Sequence, residues 1–124
     1  MSSTRPINEH QASSHDLQLD AATGFISGHL GEKIRLSDVS AAAGVSTRSL
    51  EYLFLRRCGV TPMAFVKRER LHKAYQLLEQ ADPETASVAG IARCCGFTHM
   101  SQFAADYRRQ IGESPSQTLN RASR

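Results

Sequence analysis

The stretch Phe54-Leu-Arg-Arg-Cys-Gly59-Val-Thr61-Pro62 returns as Tyr107-Arg-Arg-Gln-Ile-Gly112-Glu-Ser114-Pro115. In each copy glycine follows the aromatic by five positions, a hydroxyl residue by seven and proline by eight. A second echo lies upstream of the first, where Val39-Ser-Ala-Ala-Ala-Gly44-Val45-Ser46 is matched by Ile91-Ala-Arg-Cys-Cys-Gly96-Phe97-Thr98. The offsets are 53 residues, from Pro62 to Pro115, and 52, from Gly44 to Gly96, so the second copy holds one extra residue between its glycine and its aromatic. Each copy carries the logic of a helix-turn-helix, two short helices joined by a tight glycine turn. In the first copy Ser37 is expected to cap a helix through Ala43, Gly44 to end it with a positive φ, and Ser46 to cap the next helix. Ser40, Ala42 and Ala43 are small enough for close helix approach, and Val39, Val45, Leu50, Leu53 and Phe54 supply a shared apolar seam. Ile91, Ala92, Phe97, Phe103 and Tyr107 take those parts in the second copy, with Thr98 as the expected cap.

Between the copies, Thr61 as a cap and Pro62 as a first helical residue open a long helix that Asp82-Pro83 closes. Its apolar face is Phe65, Leu71, Ala74, Tyr75 and Leu78. About 19 residues at 1.5 Å give roughly 28 Å, a strut suited to holding two reading helices in successive major-groove segments spaced about 34 Å. An opening helix, around Leu17 to Leu30, presents Leu17, Ala21, Ala22, Phe25, Ile26 and Leu30, and a short helix after Ser114-Pro115 uses Leu119. The expectation is an all-α fold of about seven helices with no strand. Residues 1–16 read as a disordered polar tail and 17–121 as the domain. Within it the first helix-turn-helix covers about 37–58, the linker helix about 62–80 and the second helix-turn-helix about 87–110; 122–124 form a further tail.

Composition sets bounds on function. The 124 residues are 40% hydrophobic and 22% charged with no Trp, which fits one globular domain. No apolar run approaches the roughly 20 residues of a membrane span, and Met1 to Asp16 lack the apolar stretch of a secretory signal, so the expected location is cytoplasmic, with the nucleoid, and no membrane is a partner. Cys58, Cys94 and Cys95 show no paired spacing and read as core filler; His10, His15, His29, His72 and His99 are scattered. Hence no metal or cofactor is expected. There are no paired carboxylates, no triad and no glycine-rich phosphate loop, so no enzyme is expected. The net charge is +3. Basic residues crowd the middle, where Arg48, Arg56, Arg57, Lys67, Arg68, Arg70 and Lys73 face only Glu51 and Glu69. Such a stretch suits a polyanion, or is a solvated helix surface.

With Leu50, Leu53 and Phe54 inward, helical geometry turns Thr47, Arg48, Glu51, Tyr52 and Leu55 outward. Arg48 can bond bidentately to guanine O6 and N7, Glu51 can accept from cytosine N4, and Tyr52 can meet a base edge or a thymine methyl. Arg48 and Glu51 can also form an intrahelical ion pair. On the second reading helix His99, Met100, Ser101 and Gln102 are the base-reading candidates, and Gln102 can bond adenine bidentately. Ala105 lies exposed one turn later. Arg56, Arg57, Lys67, Arg108 and Arg109 are the phosphate candidates, with the helix amides near Thr61-Pro62 and Ser114-Pro115. The reading is a sequence-specific double-stranded DNA-binding regulator. The rival is a helical protein-interaction module whose basic face binds an acidic protein, and RNA is disfavoured because A-form major grooves exclude a reading helix.

From Leu17 to Arg121 the chain resembles the DNA-binding domain of the AraC/XylS family of bacterial transcription regulators. The resemblance is carried by Ile91-Ala-Arg-Cys-Cys-Gly-Phe97 with Phe103, Tyr107-Arg-Arg109, Gly112 and Ser114-Pro115. Val45-Ser46, Leu50, Phe54, Gly59, Thr61-Pro62 and Arg70-Leu71 also match in order and spacing. It implies seven helices, two helix-turn-helix subdomains, no catalysis, and transcription activation through contact with RNA polymerase. Ala105 and Ser40 depart from the pattern, where Arg and Ala are usual. The effector-binding and dimerisation domain that many members carry is not in this chain, which shows no small-molecule effector site. The chain is therefore read either as a stand-alone regulator or as the C-terminal part of a longer one.

Overall fold

The computed structural model describes residues 4–122, with side chains from 14 to 121. Its helices are α1 (Thr4–Gly28), α2 (Leu36–Ala43), α3 (Thr47–Cys58), α4 (Pro62–Gln80), α5 (Val88–Cys94), α6 (Met100–Ile111) and α7 (Pro115–Ala122), and no strand occurs among the described residues. The chain forms two units, the first from residues up to His29 with Ile34–Phe65, the second from Leu30–Lys33 with everything from Val66 onward. Helix α4 begins in the first unit and continues in the second.

In the first unit α1 packs against α2 and α3. Ala22 and Ile26 of α1, Val39 of α2, and Leu50, Leu53 and Phe54 of α3 are buried, and the Phe54 ring meets Phe65 edge-on at 5.3 Å. Burying an aliphatic or aromatic side chain of this size contributes about 1.5–3 kcal/mol, so α3 is held chiefly by its inner stripe. Two expected members of the α1 face are corrected: Leu17 is 66% exposed and Ala21 is exposed. At 100° per residue Leu17 lies well off the Ala22–Ile26 stripe, whereas Leu19, seven residues before Ile26, is half-buried. The expected tail at 1–16 is corrected for 4–16, where the backbone is already helical. Pro6 falls in the first turn, where proline is tolerated. Residues 1–3 of that tail, and 123–124 of the C-terminal one, lie outside the described residues.

The second unit is centred on Leu71, Ala74 and Leu78 of α4, Ala92 of α5, Cys95, Phe103 and Tyr107 of α6, and Leu119 of α7. Val66, absent from the expected α4 face, is buried, while Phe65 and Tyr75 are half-buried. Cys95 is core as expected and burial pushes its thiol up, Cys58 is half-buried, and Cys94 is exposed, a correction, because it sits one helix position off the inner stripe. The Tyr107 hydroxyl donates to Thr118 Oγ1 at 2.7 Å, and that hydroxyl donates to Glu113, fixing α7 against α6.

The turn is the same in both units. Gly44 has φ +71° and Gly96 φ +92°. The next amide returns to a carbonyl of the preceding helix, Val45 N to Ser40 O at 3.1 Å and Phe97 N to Ala92 O at 3.0 Å, which is the Schellman pattern. After it, Ser46 caps α3 by accepting from Ser49 N at 3.1 Å. In the second unit the extra residue is spent here, and the N-cap is His99 with no side-chain cap bond, not the expected Thr98. Ser37 is likewise not a cap; Arg35 takes that position, and its amide donates to Asp38 Oδ2 at 3.0 Å.

A Cβ at Gly96 would lie 2.4 Å from Leu30 O and 2.7 Å from Arg70 Nε, whereas at Gly44 it meets open space. Gly44→Ala is expected to cost about 1 kcal/mol from the left-handed backbone alone, and Gly96→Ala about 3 kcal/mol or more because overpacking adds to the same strain. Urea unfolding of the two variants checks the order.

Candidate nucleic-acid interface

The capped start of α3 and its buried Leu50, Leu53 and Phe54 leave Thr47, Arg48, Glu51 and Tyr52 together on the exposed side of one helix, as the periodicity predicts. Tyr52 and Leu55, three positions apart on the same helix, are 63% and 52% exposed. Arg56 Nη1 donates to the Tyr52 hydroxyl at 3.0 Å, and its guanidinium carbon lies 5.6 Å from the ring centroid. This side of α3 lines a cleft of about 560 Å³ with Arg48, Tyr52, Arg56, Arg57, His15 and Gln18 on its walls. Arg57 is not a free cation, since its guanidinium pairs with Asp16 at 2.6 Å. Both partners are substantially exposed, so the pair is open to exchange with another anion.

On α6 the four expected readers separate. His99 precedes the helix and its Nδ1 lies 3.0 Å from Thr98 Oγ1, and Met100 is half-buried against the core of the second unit. Ser101 and Gln102 are exposed, as is Ala105. Gln102 Nε2 donates to Asp106 Oδ1 at 3.0 Å. Asp106, only 4% exposed, also receives Lys67 Nζ at 2.9 Å and Arg109 Nη1 at 3.0 Å. The Lys67 hydrogen bond, with those of Gln102 and Arg109, holds the Asp106 carboxyl below its ordinary value against the opposing effect of burial. Of the expected phosphate group, Lys67 and Arg109 thus converge on one carboxylate, while Arg108 is exposed and makes no ion pair among the described residues.

The helix ends are partly self-satisfied. Thr61 Oγ1 accepts from Ala64 N at 3.2 Å, and Ser114 and Gln117 form a capping box, Ser114 N to Gln117 Oε1 at 2.8 Å and Gln117 N to Ser114 Oγ at 3.1 Å. Because Pro62 and Pro115 have no amide, Met63 and Ser116 supply the remaining early N–H groups for an outside anion. Sequence reasoning missed Asp106, although one signal was present: it stands seven residues after the α6 N-cap, the place Leu53 holds after the α3 N-cap. Arg70, read as a basic residue and as part of the family match, donates Nε to Leu30 O at 2.9 Å and Nη2 to Glu32 O at 2.6 Å, tying the loop after α1 into the second unit. Among the described residues no group of His, Cys, Asp or Glu is placed to hold a metal ion, and no helix is long and apolar enough to cross a membrane.

Residues 39–121 match the model of a helix-turn-helix domain. The XylDLEGF operon transcriptional activator of Pseudomonas putida is 33% identical over 100 residues, covering 81% of this chain and 31% of that one. A crystal structure from Rhodopseudomonas palustris, described as a "probable AraC family transcriptional regulator", shares 37% identity and a TM-score of 0.77 over 86% of this chain and 98% of that one. The DNA-binding domain of AdpA, a global transcriptional factor crystallised with a target DNA, shares 26% identity and a TM-score of 0.73 over 85% of this chain and 91% of that one. The chain therefore spans just under a third of the length of the curated relatives it matches first.

The depressed Asp106 value carries a pH dependence. The native carboxyl binds its proton less readily than the unfolded one, so its stabilisation is fully present above the ordinary Asp value of about 4 and is lost as pH falls through the lowered native value. Asp106→Asn is expected to lower stability at pH 7 by on the order of 1–2 kcal/mol, and the difference from the parent is expected to shrink as pH falls below the ordinary Asp value, as followed by urea midpoints across an acid pH series.

Proposed function

The chain belongs to the AraC/XylS family of helix-turn-helix domains, and from that premise we propose that it is a transcription regulator that binds a specific duplex DNA sequence, with α3 and α6 as its two reading helices. The observation that carries this is the α3 surface: a capped helix following a glycine turn, with Thr47, Arg48, Glu51 and Tyr52 exposed in one patch. Base edges in the major groove ask for side chains of these kinds at the N-terminal part of such a helix. Arg48 reads guanine, Glu51 accepts from a cytosine amine, and Tyr52, braced by Arg56, meets a base edge or methyl. Ser101 and Gln102 read from α6, with Met100 and His99 at its start. Arg56, Arg57 and Arg108 anchor phosphates, Arg57 by exchanging Asp16 for the DNA backbone, whereas Lys67 and Arg109, expected as anchors, stay on Asp106. The family places the chain among regulators rather than enzymes. Transcription is activated through contact with RNA polymerase in this reading, and the working location is the cytoplasm, at the nucleoid.

Selection of bound duplexes from a random pool at near-physiological salt tests the proposal directly. Two enriched blocks about 10 bp apart are expected, one for each reading helix. A single block removes α6 from base reading, and binding that vanishes with salt without enriching any sequence overturns specific recognition in favour of a basic face for a protein partner. On the selected duplex, Arg48→Ala is expected to cost about 1–3 kcal/mol and to relax one base position, while Arg108→Ala weakens all duplexes alike and lowers the salt slope by about one. A promoter fused to a reporter, carrying the selected site upstream, is expected to gain expression with the protein present.

A further inference from the structure

Asp106 occupies a place on α6 where the repeat predicts an apolar residue. Its counterpart on α3, Leu53, is buried, and Asp106 is buried too, at 8% and 4% exposure. What surrounds the carboxylate is one-sided in chemistry. Oδ2 takes Lys67 Nζ at 2.9 Å, and Oδ1 takes Gln102 Nε2 and Arg109 Nη1, each at 3.0 Å. An ionised carboxylate is an acceptor only, and two cations beside it keep it ionised. The Gln102 side-chain amide, which has a donor end and an acceptor end of nearly equal shape, therefore has one orientation here. Its nitrogen faces Asp106, and Oε1 is the atom left outside the network. Gln102 itself is exposed and stands third in α6, in the first turn, where a reading helix approaches base edges.

Resting on the DNA reading above, we propose that Asp106 is a positioning residue that makes Gln102 a selective reader of a base bearing an exocyclic amine in the major groove. A free glutamine can turn either end to a base and discriminates poorly between amine and carbonyl edges. Held by Asp106, Gln102 offers Oε1 to adenine N6 or cytosine N4. Adenine gains a second bond, because one Nε2–H remains for its N7. Guanine O6 or thymine O4 at the same place sets acceptor against acceptor. Lys67 and Arg109 belong to the same device, since they fix the carboxylate from α4 and from one turn along α6.

The experiment uses the full chain and the duplex enriched by selection. Gln102→Ala first identifies the base pair at which Gln102 acts, by the position whose preference disappears. At that pair, replacing the adenine or cytosine by an analogue without its exocyclic amine is expected to weaken the parent by roughly fivefold or more, whereas altering the carbonyl of the partner base is expected to change little. Asp106→Leu places in α6 the residue that α3 already carries at this position, so packing is retained. It is expected to bring that preference close to parity while leaving preferences at the α3 base pairs unchanged, and adding Gln102→Ala to it is expected to change nothing further. A purely structural role for Asp106 would weaken every base pair together and would not single out one. The inference is overturned if Asp106→Leu keeps the amine preference, if it erodes all positions equally, if Gln102→Ala alters no position, or if removing the exocyclic amine from that pair leaves the parent's binding unchanged. A parent chain that enriches no sequence overturns the DNA reading and this inference with it; enrichment by the parent with an unchanged Asp106→Leu profile overturns this inference alone.

Discussion

In each unit the helix that follows the glycine turn takes its direction from one backbone hydrogen bond that crosses a left-handed glycine. Val45 N returns to Ser40 O and Phe97 N to Ala92 O, at 3.1 and 3.0 Å, and the chain leaves the turn already aimed. A side chain at a positive φ of this kind costs on the order of 1–2 kcal/mol, so the turn is cheap only with glycine at Gly44 and Gly96. The inner stripe of the following helix then packs because it has been delivered to the right place. At Gly96 the constraint is doubled, since the glycine also admits Leu30 O and the Arg70 guanidinium that tie the loop before α2 into the second unit.

Once the backbone is fixed twice in the same way, the units can differ only in side chains. On α3 the exposed face keeps its polar groups available, with Arg48 outside any ion pair among the described residues and Arg56 braced on Tyr52 by a neutral contact. On α6 two of the basic side chains available to that helix are drawn to Asp106, and its outward positions are Ser101, Gln102 and Ala105. Electrostatic attraction to a polyanion is thus concentrated differently in the two units, although the fold that presents it is repeated. Bidentate or charged contacts discriminate among bases more strongly than small neutral ones. Under the proposed DNA reading, the first unit therefore supplies most of the direct charge-based readout, and the second depends on the geometry of one amide.

The features legible in the sequence were the local ones. Glycine turns, the Ser46 cap, and the Thr61-Pro62 start of α4 depend on residues within a few positions of each other, and the linker helix ends where Asp82-Pro83 ends it. The outward set on α3 was legible because three large apolar residues fix its rotation. Features that depend on distant partners were not legible. Leu17 satisfies a loose apolar pattern yet lies off the stripe that meets α2, and Val66 is buried though it falls outside the expected face. Thr98 is a better cap than His99 by propensity, but the extra residue of the second copy is placed in the turn, and the register of Phe103 and Tyr107 in the core overrides the local preference.

Asp106 shows why counting charges along the chain could not tell cations open to an outside anion from cations already paired within the fold. Lys67 and Arg109 are 42 residues apart in sequence and read as two independent cations. The fold brings both to one buried oxygen pair, where their charge is partly neutralised and their positions are fixed. A buried carboxylate without such partners would protonate or destabilise the helix, so the cations are what allow an acid to stand at a core position of α6. In return the acid holds a glutamine amide in one of its two orientations. A residue that touches no base can in this way decide what an exposed neighbour offers to one, and the repeat in the sequence marks it only as the place where aspartate replaces leucine.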